Sequence, residues 1–201
     1  MTSENPFLSS DAFEDAEFSG LDWPKGTLAG KEFVRCRFTK MTLPESNWIG
    51  ARLDDCVFDG CDLSRMRVAQ MAARGVAFVN CRITGVDWSD LRPTPVLSFE
   101  ACNLQYSSFV KINLTGTHFT RCRLSEVHFL EVRLVEADFS GSDLAGARIE
   151  DCDARAANFA DARGVIVDPV RNKMKDARIA LDTAVLLAES FGLRVQGYDR
   201  D

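Results

Sequence analysis

Tyrosine and histidine are nearly absent from this chain of 201 residues, two of each. His118 and His128 stand two pentads apart, with no adjacent nucleophile to serve and too few partners to hold a metal. No run of 18 apolar residues occurs, so no membrane-spanning helix is expected. The N-terminus, Met1-Thr2-Ser3-Glu4-Asn5-Pro6, lacks the basic region and apolar stretch of a secretory leader. An odd number of cysteines, seven, argues against a disulfide framework and for a reducing, cytoplasmic setting. A basic excess is also missing. Acids outnumber bases 30 to 24, a net charge of −6, which argues against a dedicated nucleic-acid binder with its basic stripe. No P-loop, GxGxxG, GxSxG or HExxH motif is present. The expectation is a protein without catalytic residues, cofactor, metal or small-molecule substrate.

What is abundant is phenylalanine, 14 residues in all. Stepping by five from Leu8 gives Phe13, Phe18, Trp23, Leu28, Phe33, Phe38, Leu43, Trp48, Leu53, Phe58, Leu63, Val68, Ala73, Phe78, Ile83 and Trp88. The register slips by one residue and resumes as Phe99, Leu104, Phe109, Leu114, Phe119, Leu124, Phe129, Leu134, Phe139, Leu144, Ile149, Ala154 and Phe159. Neither a helical period of 3.6 nor a strand period of 2 produces this pattern. Two residues before each large side chain lies a small one, and all seven cysteines (36, 56, 61, 81, 102, 122 and 152) fall in that class. Small inward filler is the expected role for these cysteines, because thiols in a straight row do not converge on a metal.

The stretch Ala137-Asp138-Phe139-Ser140-Gly141-Ser142-Asp143-Leu144 shows the unit plainly. It resembles the pentapeptide-repeat family, with consensus A(D/N)LXX, over roughly residues 8 to 164. The resemblance implies an all-β solenoid: a right-handed quadrilateral β-helix of about eight coils, four pentapeptides to a turn. Four units to a turn has its own support in the sequence. Taking every fourth unit, Phe18, Phe38, Phe58 and Phe78 continue across the slip as Phe99, Phe119, Phe139 and Phe159, a single structural core column.

Two irregularities are expected within the β-helix assigned to 1–164. Arg92, Pro93, Thr94 and Pro95 should bulge from a corner, because proline cannot donate to a ladder, and offer a partner-binding feature. The weaker stretch 68–75 should bend or form an irregular coil. Residues 165–201 read as a strand–helix–strand cap, with Asp182 as the helix N-cap and 193–195 as a last strand. Leu181, Val185, Leu187, Phe191 and Val195 are its candidate cap and dimer residues. That segment carries six acids and six bases, so the net acidity belongs to the β-helix.

Eight coils at ~4.8 Å give a rod of about 38 Å, and two joined end to end span about 75 Å. That length matches roughly 22 base pairs of duplex at 3.4 Å per step. Within the family, the chain resembles the topoisomerase-directed members, of the Qnr, MfpA and albicidin-resistance types, and the albicidin-resistance type in particular through Gly85-Val86-Asp87-Trp88, Leu97-Ser98-Phe99-Glu100 and the tail from Lys175-Asp176-Ala177-Arg178 into Leu186-Leu187. This resemblance implies a homodimeric DNA mimic that binds DNA gyrase or topoisomerase IV and protects it from a poison, touching neither nucleic acid nor membrane. The long loops of Gram-negative Qnr proteins have no counterpart here beyond 91–96. A cytoplasmic protein–protein interaction scaffold with no topoisomerase role is the alternative.

Overall fold

A computed structural model describes residues 5–164 and 167–196. The chain winds into a β-solenoid of about eight turns, followed by one helix. Strands pair in parallel with their counterparts one coil on, as in Phe13↔Phe33 and Phe38↔Phe58. Successive N–H groups point to alternate coils: Thr42 donates back to Leu21 O at 2.9 Å and Leu43 forward to Asp62 O at 2.8 Å. The backbone's hydrogen bonds are thus satisfied between coils, which lets short strands survive without a flat sheet.

Each coil has four sides, here called faces 1 to 4 in chain order, with face 1 the phenylalanine column. Two residues after most inward side chains the backbone turns a corner at positive φ, from +50° at Lys40 to +71° at Gly30. That left-handed conformation explains why the fifth position of the repeat takes glycine or a flexible polar residue. At Gly164 a side chain is excluded outright, since a Cβ would lie 2.8 Å from the Ala145 Cα. The Asp or Asn ahead of the inward residue has a backbone role of its own. Asn47, Asp62, Asn103, Asp138 and Asp143 each accept, through Oδ1, the N–H two residues on.

The interior is a stack of rings. From Phe18 to Phe159 the column steps by 4.3–5.2 Å with near-parallel planes. Rings of the opposite face meet it edge-on, as Phe129 meets Phe119 at 5.8 Å and 82°. Stacking along the rod and T-shaped contact across it are the two favoured aromatic geometries.

The slip falls where the sequence places it, Phe78 pairing with Phe99 rather than residue 98. Pro95 turns inside while Arg92, Pro93 and Thr94 stay exposed. The six-stranded sheet of face 1 runs through the slip unbroken, but the four-stranded sheet of face 4 ends at 72–74. Beyond it, three-residue strands form instead on face 3, at 108–110, 128–130 and 148–150. The bend expected at 68–75 is absent. Ala72–Arg74 pairs in register with Arg52–Asp54, and Ala73 fits the core at 3% exposure.

Both ends depart from the simple repeat. Leu8, expected inside, is exposed, and its neighbour Phe7 turns in to plug the first coil. Phe7 rests 4.7 Å from Phe18 and 5.9 Å from Trp23, held by a short 3₁₀ turn in which Asn5 Oδ1 accepts its N–H at 3.0 Å. At the other end pairing continues past residue 164, to Phe159↔Ile179.

The helix follows as Leu181–Ser190. Ala180, not Asp182, is its N-cap; Asp182 sits in the first turn, where a carboxylate favours the helix dipole. Residues 193–195 are not a strand. Leu193 N–H closes on Ala188 O at 3.0 Å and Gly192 N–H on Glu189 O at 2.8 Å, so the chain is used up capping the helix.

One small-residue column closes both ends chemically. It reads Lys31, Ala51, Met71, Leu91, Ile112, Val132, Cys152, Asn172, buried throughout and polar only at its termini. Lys31 Nζ reaches Ser10 O at 2.7 Å and Asp11 Oδ1 at 2.6 Å. Asn172 Oδ1 accepts from Cys152 N–H, and its Nδ2 donates to Ile149 O and Asp168 O, all at 2.9 Å. Buried polar groups at the two ends of the column are thereby satisfied rather than orphaned.

Candidate interaction surfaces

Stacking sets outward side chains of successive coils side by side, and charge is arranged accordingly. Arg35 binds Asp15 at 2.7 Å and Glu14 at 2.5 Å, Arg65 binds Glu45 at 2.7 Å, and Lys111 lies 3.5 Å from Glu131. Arg52 pairs with Glu32 and Arg121 with Glu100 in the same manner. These pairs are exposed and screened by water, so they shape the surface more than they hold the fold. The hydrogen bonds from Arg35 hold the Asp15 carboxyl below its ordinary value. Burial opposes a similar shift at Asp138, but hydrogen bonds from Ser140 and Asn158 prevail and lower it. The result is a surface of mixed sign, less uniformly acidic than the net charge implies.

The cysteines are buried and reduced. Each thiol donates to a carbonyl of the previous coil, as Cys81 Sγ does to Phe58 O at 3.4 Å and Cys102 Sγ to Phe78 O at 3.3 Å. Ser142 extends the column of Cys61, Cys81, Cys102 and Cys122, its Oγ donating to Phe119 O and accepting from Cys122 N–H at 2.8 Å. Burial pushes the Cys56 and Cys152 thiols up to about 11, which keeps them unreactive. No group of three or more potential metal ligands converges among the described residues. His118 and His128 stand on opposite faces, 3.8 Å from Asp138 and Glu150 respectively.

Two features break the regular surface. The first is the loop at the slip. Arg92, Pro93 and Thr94 rise from face 4 and wall a groove of about 360 Å³ with Arg52, Asp54, Ala72, Ala73 and Arg74. Arg92 N–H and Val96 N–H tie the loop to Met71 O and Ala73 O, each at 3.0 Å. The expected bulge residues are therefore one wall of a site whose other wall, Arg52 and Arg74, no sequence motif marks. The register alone locates them, since it pairs Asp54 with Arg74 across one coil.

The second is the C-terminal helix. Val185 is buried, but Leu181 is 72% and Phe191 52% exposed, and Leu193 and Val195 are also exposed. Leu187 is half-buried. Clustered large apolar side chains facing water are unusual on a single chain.

The repeat is recognised by two family models, one for a pentapeptide repeat region over residues 95–159 and one for eight copies of the pentapeptide repeat over 32–65. The chain belongs to the pentapeptide-repeat family. Within that family, it is 32% identical over 82 residues to the quinolone resistance pentapeptide repeat protein QnrB96 of Scandinavium goeteborgense. The match covers 40% of this chain and about a third (36%) of that relative's length. A trypsin-treated variant of QnrB1, a plasmid-mediated fluoroquinolone resistance protein, superposes with a TM-score of 0.68 at 19% identity, over 92% of this chain and 97% of that one. HetL, a pentapeptide-repeat protein involved in heterocyst differentiation regulation in the cyanobacterium Nostoc sp. strain PCC 7120, superposes at 0.52 and 15% identity, over 86% and 89%. The structural likenesses share the quadrilateral solenoid with this pentapeptide-repeat chain and establish the fold. No helix among the described residues is long and apolar enough to cross a membrane.

Proposed function

We propose that this protein binds a type II topoisomerase, DNA gyrase or topoisomerase IV, as a non-enzymatic stand-in for duplex DNA, and so protects the enzyme from a poison. The likeness to the quinolone resistance protein QnrB96 carries the reading. Shape and charge support it: a straight rod, net charge −6, of about the length of a short duplex. In this reading the apolar side chains of the last helix, Leu181, Phe191 and Val195, are covered by a second copy, doubling the rod end to end. The setting is cytoplasmic, where such an enzyme works.

Purified protein added to gyrase supercoiling reactions is expected to restore supercoiling in the presence of a quinolone, an albicidin-type inhibitor or a microcin. No effect in any arm at micromolar protein would overturn the proposal. The dimer has its own readout. Light scattering at high concentration should give twice the chain mass, and a monomer would remove the doubled rod.

A further inference from the structure

The groove beside the slip is rich in bases on a protein of net negative charge. Its lining holds three arginines, Arg52, Arg74 and Arg92, against one acid, Asp54. Some bases on the rod are matched by an acid one coil away, as at Arg35–Asp15 and Arg65–Glu45. Asp54 is the register partner of Arg74, yet the two form no salt bridge within 4 Å. Arg92 has no carboxylate partner among the described residues either; its Nε donates to Gln70 O at 3.1 Å. Two guanidinium groups thus line one groove without a carboxylate partner, on a protein of net charge −6.

We propose that this groove binds the carboxylate side chains of an acidic peptide segment presented by a protein partner. The site is built for carboxylates, because the planar guanidinium fork matches their geometry in paired hydrogen bonds. A peptide, rather than a bare anion, fits the rest of the lining. Ala72 on the floor and the Pro93 wall offer apolar contact that inorganic phosphate has no means to use. The slip is what makes the groove: by ending the face 4 sheet at Arg74 it lifts Arg92 to Thr94 above the surface as a wall. Recognition here is of the opposite sign to that of the acidic rod, so it stands whether or not the partner is a topoisomerase.

The probe is a fluorescein-labelled peptide of alternating glutamate and leucine, followed by anisotropy at low salt. Binding is expected to weaken at least tenfold in the double variant Arg74→Gln, Arg92→Gln, and likewise in Ala72→Glu, which puts a negative charge on the floor. Lys40→Gln, loss of a base from face 1, should leave it unaltered. Circular dichroism melts matching wild type keep folding out of the comparison. Three outcomes overturn the proposal: no peptide binding, binding indifferent to both groove variants, or displacement of the peptide by equimolar inorganic phosphate.

Discussion

Asn172 Oδ1 accepts the backbone N–H of Cys152 at 2.9 Å, one coil from the end of the β-ladder. In the coils between Ala51 and Cys152 the same position holds an aliphatic side chain, a thioether or a thiol. The amide thus draws this N–H to the next coil, where the equivalent Ala51 and Met71 N–H groups turn back to Trp48 O at 3.0 Å and Val68 O at 2.9 Å. Asn172→Leu leaves Cys152 N–H and Ile149 O without those bonds and is expected to cost about 1–3 kcal/mol per group in urea denaturation. An unchanged midpoint would show that the end of the ladder is satisfied by water.

Phe119 is stacked 5.1 Å from both Phe99 and Phe139 and meets Phe109 and Phe129 edge-on at 5.8 Å. Coils above and below are locked by the same ring contacts, so the site has little room to collapse. Phe119→Ala should lower stability by about 3–5 kcal/mol. Phe18, 8% exposed at the first coil, should lose less on the same change. Equal losses in thermal melts would contradict a stack whose ends are looser than its middle.

Trp48 Nε1 donates to Ser46 Oγ at 2.9 Å, whereas Trp88, two coils on in the same column, has Val86 in the serine's place and an unpaired Nε1. Ser46→Ala is expected to orphan the first indole at about 1–3 kcal/mol. Val86→Thr adds a hydroxyl within reach of the second and should be neutral or stabilising, although burying a hydroxyl without a partner would destabilise. Equilibrium unfolding of the two variants side by side separates the cases.

Asp138 titrates below its ordinary 3.8 in the fold. The folded state therefore holds this proton less readily than the unfolded chain. Its contribution to stability is complete above 3.8 and disappears as pH falls through the depressed value. Asp15, Asp87 and Asp153 are shifted in the same direction. Urea midpoints should fall below about pH 4, and Asp138→Asn should flatten the decline. Asparagine keeps the turn, as Asn103 and Asn158 do at equivalent positions. A pH profile unaltered by the change would remove Asp138 from the account.

The coil was legible because a solenoid imposes the same environment on every turn, so one rule about size and polarity repeats until it cannot be chance. Phe18 to Phe159 could be assigned to one face from the repeat alone. What stayed illegible lies where the environment ceases to repeat. Leu8 was in phase with the column, yet Phe7 takes the interior, because the first coil has no predecessor and the larger ring fills the open end better. Gly192 and Leu193 were spent on capping the helix instead of starting a strand. The groove's arginines lie in three coils, and nothing in a linear reading joins Arg52 to Arg92.

The move of the second set of strands from face 4 to face 3 changes the cross-section of the rod midway. Before the slip the two flat walls adjoin along one edge; after it they lie back to back with a rounded side between them. A partner closing on this protein from either side of residue 94 would therefore need two differently shaped jaws. One continuous core gives the molecule a front half and a rear half that are not interchangeable.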